Sequence, residues 1–305
     1  MVKKANAVWR NFSRKGCQIV MRGQDKVDKV HIEKNSVQET LVIPLYGRRL
    51  CTERFPRLFR DDRAVELIGR LDYDFSALEK QSKSLAHQFG ALEVAMREND
   101  LMIELREYLT AHPRATLVNL GCGLDQTAEN CDNGLCRIVN IDLPDVIAVR
   151  NELLPETDRV KNLACDLNDT AWFDGIDAAD GVCFMAAGVF YYFQTEDVKR
   201  LFRAMAGHFP GGRLVFDTAN RRAVKIMLKT WVKEAGITAI SDYFSVDDAQ
   251  RDLAWLEKAV VSDRGYMLGY NDLRDPSVPW LFRRMAKLGD GFMKMRIVRI
   301  DFREE

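Results

Sequence analysis

The sequence lacks a surplus of charge of either sign: 45 Lys and Arg stand against 45 Asp and Glu, for a formal net charge of zero. A dedicated nucleic-acid binder normally carries a basic excess, so nucleic acid is an unfavoured partner here, local basic patches aside. Histidine is scarce, with His31, His87, His112 and His208 scattered over 305 positions. No histidine cluster or second cysteine pair accompanies Cys131 and Cys136 at zinc-ligand spacing, so no metal site is expected. The seven cysteines come with no secretory-signal pattern, and several lie in or just after apolar runs, where a thiol behaves as a small hydrophobe. Reduced thiols and a cytoplasmic location follow as expectations. Apolar runs long enough for a bilayer, about 18 residues, are missing, so no membrane span is expected. Internal repeats and low-complexity linkers are missing as well.

What is present is ample core material, with 47 % of residues hydrophobic. Residues 1–22 carry six basic side chains and no acidic one, with Trp9, Phe12, Ile19 and Val20 among them. That pattern suits a transit peptide or a membrane-surface helix, but an ordered helix docked on the body is the preferred reading. The chain reads as helical to about residue 112, an N-terminal region with the character of a lid. From 113 to 305 it changes to short apolar runs alternating with helical patterns, which signals βαβ units and a parallel sheet. Strands are expected at 116–121, 136–142, 160–166, 181–188 and 213–219. Helices are expected at 195–209, with Thr195 as N-cap, and at 221–236, closed by Gly236. Strands at 258–268 and 294–302, with a helix near 278–288 between them, would finish the sheet with an antiparallel pair. The fold class is therefore α/β, with a mostly parallel sheet of seven strands, helices on both faces, and an N-terminal helical lid.

The chemistry concentrates where "LVNLGCGLDQ" (117–126) ends a strand on Gly121 and Gly123. Glycines there let the backbone approach a ligand closely. The dinucleotide fingerprint needs a third glycine where Gln126 stands, and no phosphate-binding G-K-[ST] follows. Asp142 ends the second strand about 20 residues on, where a carboxylate can accept from both hydroxyls of a ribose. Asp166 ends the third, where it could accept from an adenine amino group while the Leu167 N–H faces a ring nitrogen. Alone, each aspartate could equally be a turn or helix cap. Together, three consecutive strand ends make an adenosine-shaped set at the carboxyl edge of the sheet.

This is the layout of the Rossmann-like class I S-adenosylmethionine-dependent methyltransferases. "ETLVIPLYGRRL" (39–50), "RLDYDFSALEKQSKS" (70–84), "LVNLGCGLDQ", "IDLPDVIAVRNELLPET" (141–157) and "GVFYYFQTEDVKRL" (188–201) together resemble the leucine carboxyl methyltransferase family. That family includes protein-phosphatase methyltransferases and tetracenomycin-type polyketide O-methyltransferases. The resemblance extends from about residue 39 to 236. It implies that Gly121 and Gly123 pass the methionine moiety, that Asp142 and Leu143 hold the ribose side, and that Asp166 and Leu167 hold the adenine. It implies that Arg97 reaches the methionine carboxylate or an acidic substrate, a task suited to a bidentate and permanently charged guanidinium. An ion pair with Glu93 or Glu104 is the alternative for Arg97. The family commonly reads E-G-V-x-x-Y after the fourth strand, whereas "AAGVFYYF" places Ala187 at the glutamate position on the cofactor side. Phe190, Tyr191 and Tyr192 are expected around the substrate pocket, with Tyr192 bonding the acceptor and Phe193 in the core. Tyr46 and Arg48 are expected in the lid over that pocket.

The implied activity is S-adenosylmethionine-dependent O-methylation of a carboxylate or phenolic hydroxyl on a small molecule, or of a protein carboxylate. An RNA methyltransferase and a non-catalytic S-adenosylmethionine-binding protein remain as alternatives. No histidine lies in the motif region, and His208 falls at a helix end expected to face away from the crevice.

Overall fold

The structure, a computed structural model, describes residues 29–34, 36, 38–231, 243–270, 273 and 275–304. The expected helix within 1–22 and its counterpart feature at Gly236 lie outside the described residues. The N-terminal region contains β1 (Val30–His31), α1 (Glu39–Arg54), α2 (Asp62–Arg70), β2 (Leu71–Asp72), α3 (Ser76–Gln81) and α4 (Leu85–Ala111). There follow β3 (Thr116–Leu120), β4 (Arg137–Asp142), α5 (Pro144–Leu153), β5 (Val160–Ala164), β6 (Val182–Ala186), α6 (Thr195–His208) and β7 (Arg213–Thr218). The chain finishes with α7 (Arg221–Trp231), α8 (Ala249–Asp252), β8 (Ala259–Gly265), α9 (Trp280–Leu288) and β9 (Arg296–Phe302).

The large sheet has seven strands in the order β5-β4-β3-β6-β7-β9-β8. β9 runs antiparallel to both β7 and β8, while β3 to β7 are mutually parallel. The central strands β3, β6 and β7 are buried along their whole length, as expected when both faces of a parallel sheet are covered. Side-chain alternation divides them between two cores. Val118, Leu120, Phe184, Leu214 and Phe216 pack on Leu201, Phe202 and Met205 of α6. Leu117, Cys183, Met185 and Val215 pack on Leu92, Met96, Leu105 and Tyr108 of α4. The expected division at residue 112 falls at the end of α4, which supplies one cover of the sheet. A third core joins Leu41 and Leu45 of α1 and Leu67 of α2 to Val146, Val149 and Leu153 of α5.

Element ends follow local chemistry. The Asp61 carboxylate accepts from the Ala64 N–H to start α2, and the Ser84 hydroxyl does the same for His87 at the start of α4. Pro144 opens α5, where its missing N–H costs no helical bond. Thr195 is corrected: it is the first residue of α6, and Gln194 holds the N-cap position in an extended conformation.

The strand register aligns the carboxyl ends. Leu120 pairs with Ile141 on one side and Ala186 on the other, and Ala186 pairs with Phe216. One residue further along each strand stand Asp142, Gly121, Ala187 and Asp217, side by side at the sheet's edge.

Candidate active site

The turn after β3 has a backbone that glycine alone accommodates readily. Gly121 has φ +64° and Gly123 φ +47°. A Cβ on Gly121 would lie 2.6 Å from the Val189 side chain, so this turn and the loop after β6 are in direct contact. A Cβ on Gly123 would lie 3.0 Å from Leu41 of α1, which places the N-terminal region over this turn. Gly121 N–H and Cys122 N–H both donate to the Ile141 carbonyl, at 2.8 and 3.1 Å. Cys122 is buried and its thiol is pushed up by burial, so it stays protonated and offers no nucleophile.

Arg150, 0 % exposed, fixes the turn from behind. It donates to the carbonyls of Gly123 (2.8 Å) and Asp125 (2.7 Å), to Glu129 Oε1 (2.6 Å) and to Asn162 Oδ1 (3.1 Å). The last residue of "DLPDVIAVR" thus ties α5 to the glycine turn. This role is not evident from the motif alone, where the signal is a lone arginine on an otherwise apolar helix face.

Asp142 faces the same turn. Its Oδ2 accepts from Gly123 N–H and its Oδ1 from Leu143 N–H, both at 2.8 Å. Each carboxylate oxygen keeps a lone pair for a hydroxyl donor. Burial raises the pKa of this carboxyl, and the two backbone donors and Arg150 oppose the rise. Leu143 itself is exposed at the rim. Asp166 is exposed past β5, where its Oδ1 accepts from the Asn168 N–H (2.9 Å) and side-chain amide (3.0 Å). Leu167 is buried beneath it. The glycine turn, the two aspartates and the intervening strand ends fit an adenosyl group.

On the other side of the turn, Arg97 of α4 leans on the loop after β6. A Cβ at Gly188 would sit 2.6 Å from Arg97 Nη1. The partner of Arg97 is Asp217, at 3.3 Å, and neither Glu93 nor Glu104. Burial works against the guanidinium charge, but Asp217, Tyr266, Tyr191 and Glu98 together outweigh it, so the pKa of Arg97 is held above its ordinary value. Asp217 escaped sequence reasoning because its strand reads as apolar core.

The aromatic block separates into three environments. Phe190 is corrected from pocket wall to core: it is 1 % exposed and meets Phe202 and Phe216 at ring-centroid distances of 5.0 and 5.3 Å. Its aromatic neighbours on β7 and α6 draw it inward. Tyr191 is buried and donates its hydroxyl to Asp217 Oδ2 at 2.7 Å. Tyr192 is 45 % exposed beside them. Ala187 presents only a methyl group and packs against the α4-side core. His208 packs on Phe173 and Phe209 at the far end of α6.

The lid residues act behind the turn. Arg48 is buried, donating to Glu98 Oε1 (2.6 Å) and to the Leu124 carbonyl (2.9 Å), with Asp61 at 3.2 Å from its Nε. Arg48 is thereby corrected from pocket lid to internal bolt, fully buried between the carboxylates of Glu98 and Asp61. Tyr46 is buried, stacked on Phe75 at 6.0 Å within the N-terminal core.

A family profile for leucine carboxyl methyltransferase matches residues 43–206. The tetracenomycin polyketide synthesis O-methyltransferase TcmP of Streptomyces glaucescens is 29 % identical over 187 residues, covering 61 % of this chain and 67 % of TcmP. The S-adenosyl-L-methionine-dependent methyltransferase dpfgK of Gibberella zeae is 26 % identical over 286 residues, covering 87 % of this chain and 94 % of dpfgK. Among solved structures, a candidate methyltransferase from Thermobifida fusca superposes with TM-score 0.54 at 13 % identity, covering 92 % of this chain and 97 % of that one. A DUF574 family protein from Streptomyces avermitilis gives 0.52 at 15 % identity, covering 83 % and 100 %. At these identities the two structures bear on the fold alone, which is that of class I methyltransferases.

Proposed function

Because the chain belongs to the leucine carboxyl methyltransferase family, and is thereby an S-adenosylmethionine-dependent methyltransferase, we propose that it methylates a carboxylate or phenolic oxygen of a small molecule. The observation that carries this reading is the row of strand ends Asp142, Gly121, Ala187 and Asp217, with Arg97 and the exposed Tyr192 beside it. The cofactor supplies a methyl group on a sulfonium, open to direct displacement by an oxygen nucleophile.

The residues of this chain divide the remaining work. Gly121 and Gly123 let the backbone run close to the cofactor, Asp142 with Leu143 takes the ribose side, and Asp166 with Leu167 takes the adenine. Arg97 meets a carboxylate at the other end. Tyr192 positions the acceptor oxygen, and Tyr191, held by Asp217, fixes the loop that carries it. α1, seated on Gly123 through Leu41, closes the turn against water. In favourable cases such positioning is worth roughly 7–11 kcal/mol of the barrier. A carboxylate acceptor is ionised at neutral pH and needs no base, whereas a phenol with a pKa of about 10 gains from one. The relative TcmP, named as a tetracenomycin polyketide synthesis O-methyltransferase, supports an oxygen acceptor. Six buried or half-buried free cysteines among the described residues fit a reducing compartment such as the cytoplasm.

The test is incubation with methyl-labelled S-adenosylmethionine and a panel of aromatic carboxylic acids and phenols, with products separated and treated with alkali. Label in an alkali-labile ester or an alkali-stable aryl ether is the expected result. Transfer only to nitrogen or carbon would refute the oxygen acceptor.

A further inference from the structure

α4 crosses the sheet from its amino edge to its carboxyl edge. Near the amino edge the Tyr108 hydroxyl accepts from the Val182 N–H at 3.1 Å, where β6 begins. At the carboxyl edge Arg97 meets Asp217. Glu93 lies one helical turn beyond Arg97 on the same face, about 6 Å further along the axis. It therefore projects past the sheet on the side where Tyr192 is exposed. The Tyr266 hydroxyl pins this turn of the helix by donating to the Glu93 carbonyl.

The Glu93 side chain is half-buried, and among the described residues its carboxylate forms neither a hydrogen bond nor an ion pair. Arg97 is the charge that acts on it from its own helix, and that guanidinium is directed to Asp217 at 3.3 Å. Tyr266 faces it from the turn after β8, and Asp217 and Tyr191 lie behind Arg97. Burial first, and then the nearby carboxylates, raise the pKa of Tyr266 well above its ordinary value, so it remains a neutral donor. Glu93 thus keeps its acceptor positions open at the edge of the site.

We propose that Glu93 is the general base of the reaction and that the acceptor it serves is a phenolic hydroxyl. This deepens the O-methylation given under the proposed function and rests on it. Only a few bonds separate the methionine carboxylate, assigned to Arg97, from the sulfonium, so a group one turn from Arg97 is within side-chain reach of the attacking oxygen. That oxygen bonds to the methyl carbon as the carbon–sulfur bond breaks and its electron pair stays on sulfur. The phenol proton passes to a Glu93 carboxylate oxygen and from there to water. Ionised Glu93 accepts from a neutral hydroxyl and repels a carboxylate acceptor. Burial pushes its carboxyl up from 4.5 to about 7, with Arg97 opposing the rise, which suits a base working at neutral pH.

The experiment measures methylation of phenols of graded acidity, and of aromatic carboxylic acids, by the wild type and Glu93→Gln across a range of pH. S-adenosylhomocysteine affinity is measured by calorimetry on both proteins. For the wild type, kcat/KM toward phenols should rise with pH and level off above about 7. Glu93→Gln should bind S-adenosylhomocysteine as the wild type does and lose about 10²–10⁴-fold in kcat. The loss should be smallest on the most acidic phenols, and the rate should keep climbing with phenol ionisation. An unchanged pH profile in Glu93→Gln, or a loss independent of phenol acidity, would overturn the proposal. Should Glu93→Gln not fold, a wild-type rate that tracks phenol ionisation without levelling overturns it. Levelling near pH 7 in both the wild type and a slower Glu93→Asp upholds it. Methylation of carboxylic acids alone would overturn the base and leave O-methylation standing, whereas transfer to no oxygen acceptor would overturn both.

Discussion

At the residue scale, Asp142 and Arg150 act on the same five-residue turn from opposite sides. Asp142 holds two backbone N–H groups at 2.8 Å and keeps lone pairs for a ribose. Replacing it with alanine removes a charged acceptor for two hydroxyls, so Asp142→Ala should weaken S-adenosylmethionine binding by at least about tenfold, or about 1.4 kcal/mol, in calorimetry. Unchanged affinity in a folded variant would remove Asp142 from the site. Asp142 could be read from the sequence because strand, glycines and acidic residue follow one another at short range. Arg150 and Asp217 could not be read in the same way. The partners of Arg150 come from three separate segments, and Asp217 meets Arg97 across 120 positions. Such pairs exist only once the sheet has aligned the strand ends.

At the scale of elements, α4 brings Glu93 and Arg97 to one face, a helical turn apart. Burial pushes the Glu93 carboxyl up from 4.5 to about 7, and Arg97 opposes the rise. A folded pKa above the unfolded one means that the folded protein holds the proton more tightly. Its contribution to stability is then fully present below about pH 4.5 and is lost as the pH rises through about 7. Glu93→Gln should remove this slope and raise stability at pH 8 by on the order of 1–3 kcal/mol, read by urea unfolding at several pH values. Parallel slopes for both proteins would show that Glu93 does not titrate in this window. The strands themselves were legible because two-sided burial writes each as a short continuous apolar run. β3, β4, β6 and β7 begin and end within two residues of expectation. The two-residue pair β1 and β2 carries no such run, and only its packing reveals it.

At the scale of the whole molecule, the parallel run β5-β4-β3-β6-β7 brings the carboxyl ends of all strands that carry or precede a site residue to the same side of the sheet. The balanced charge leaves recognition to local groups: Asp142, Asp166, Arg97 and Asp217 around one glycine turn. The aromatic block shows the limit of local reading, since four consecutive rings look alike in sequence. The fold sends Phe190 into the core, Tyr191 to Asp217 and Tyr192 toward solvent. The central claim is that the Gly121–Gly123 turn receives S-adenosylmethionine. Calorimetric titration of the purified chain with S-adenosylmethionine, with NAD as control, tests it most directly. The account predicts binding in the micromolar range for the former and none for the latter. A preference for NAD, or no binding of S-adenosylmethionine by folded protein, would contradict it.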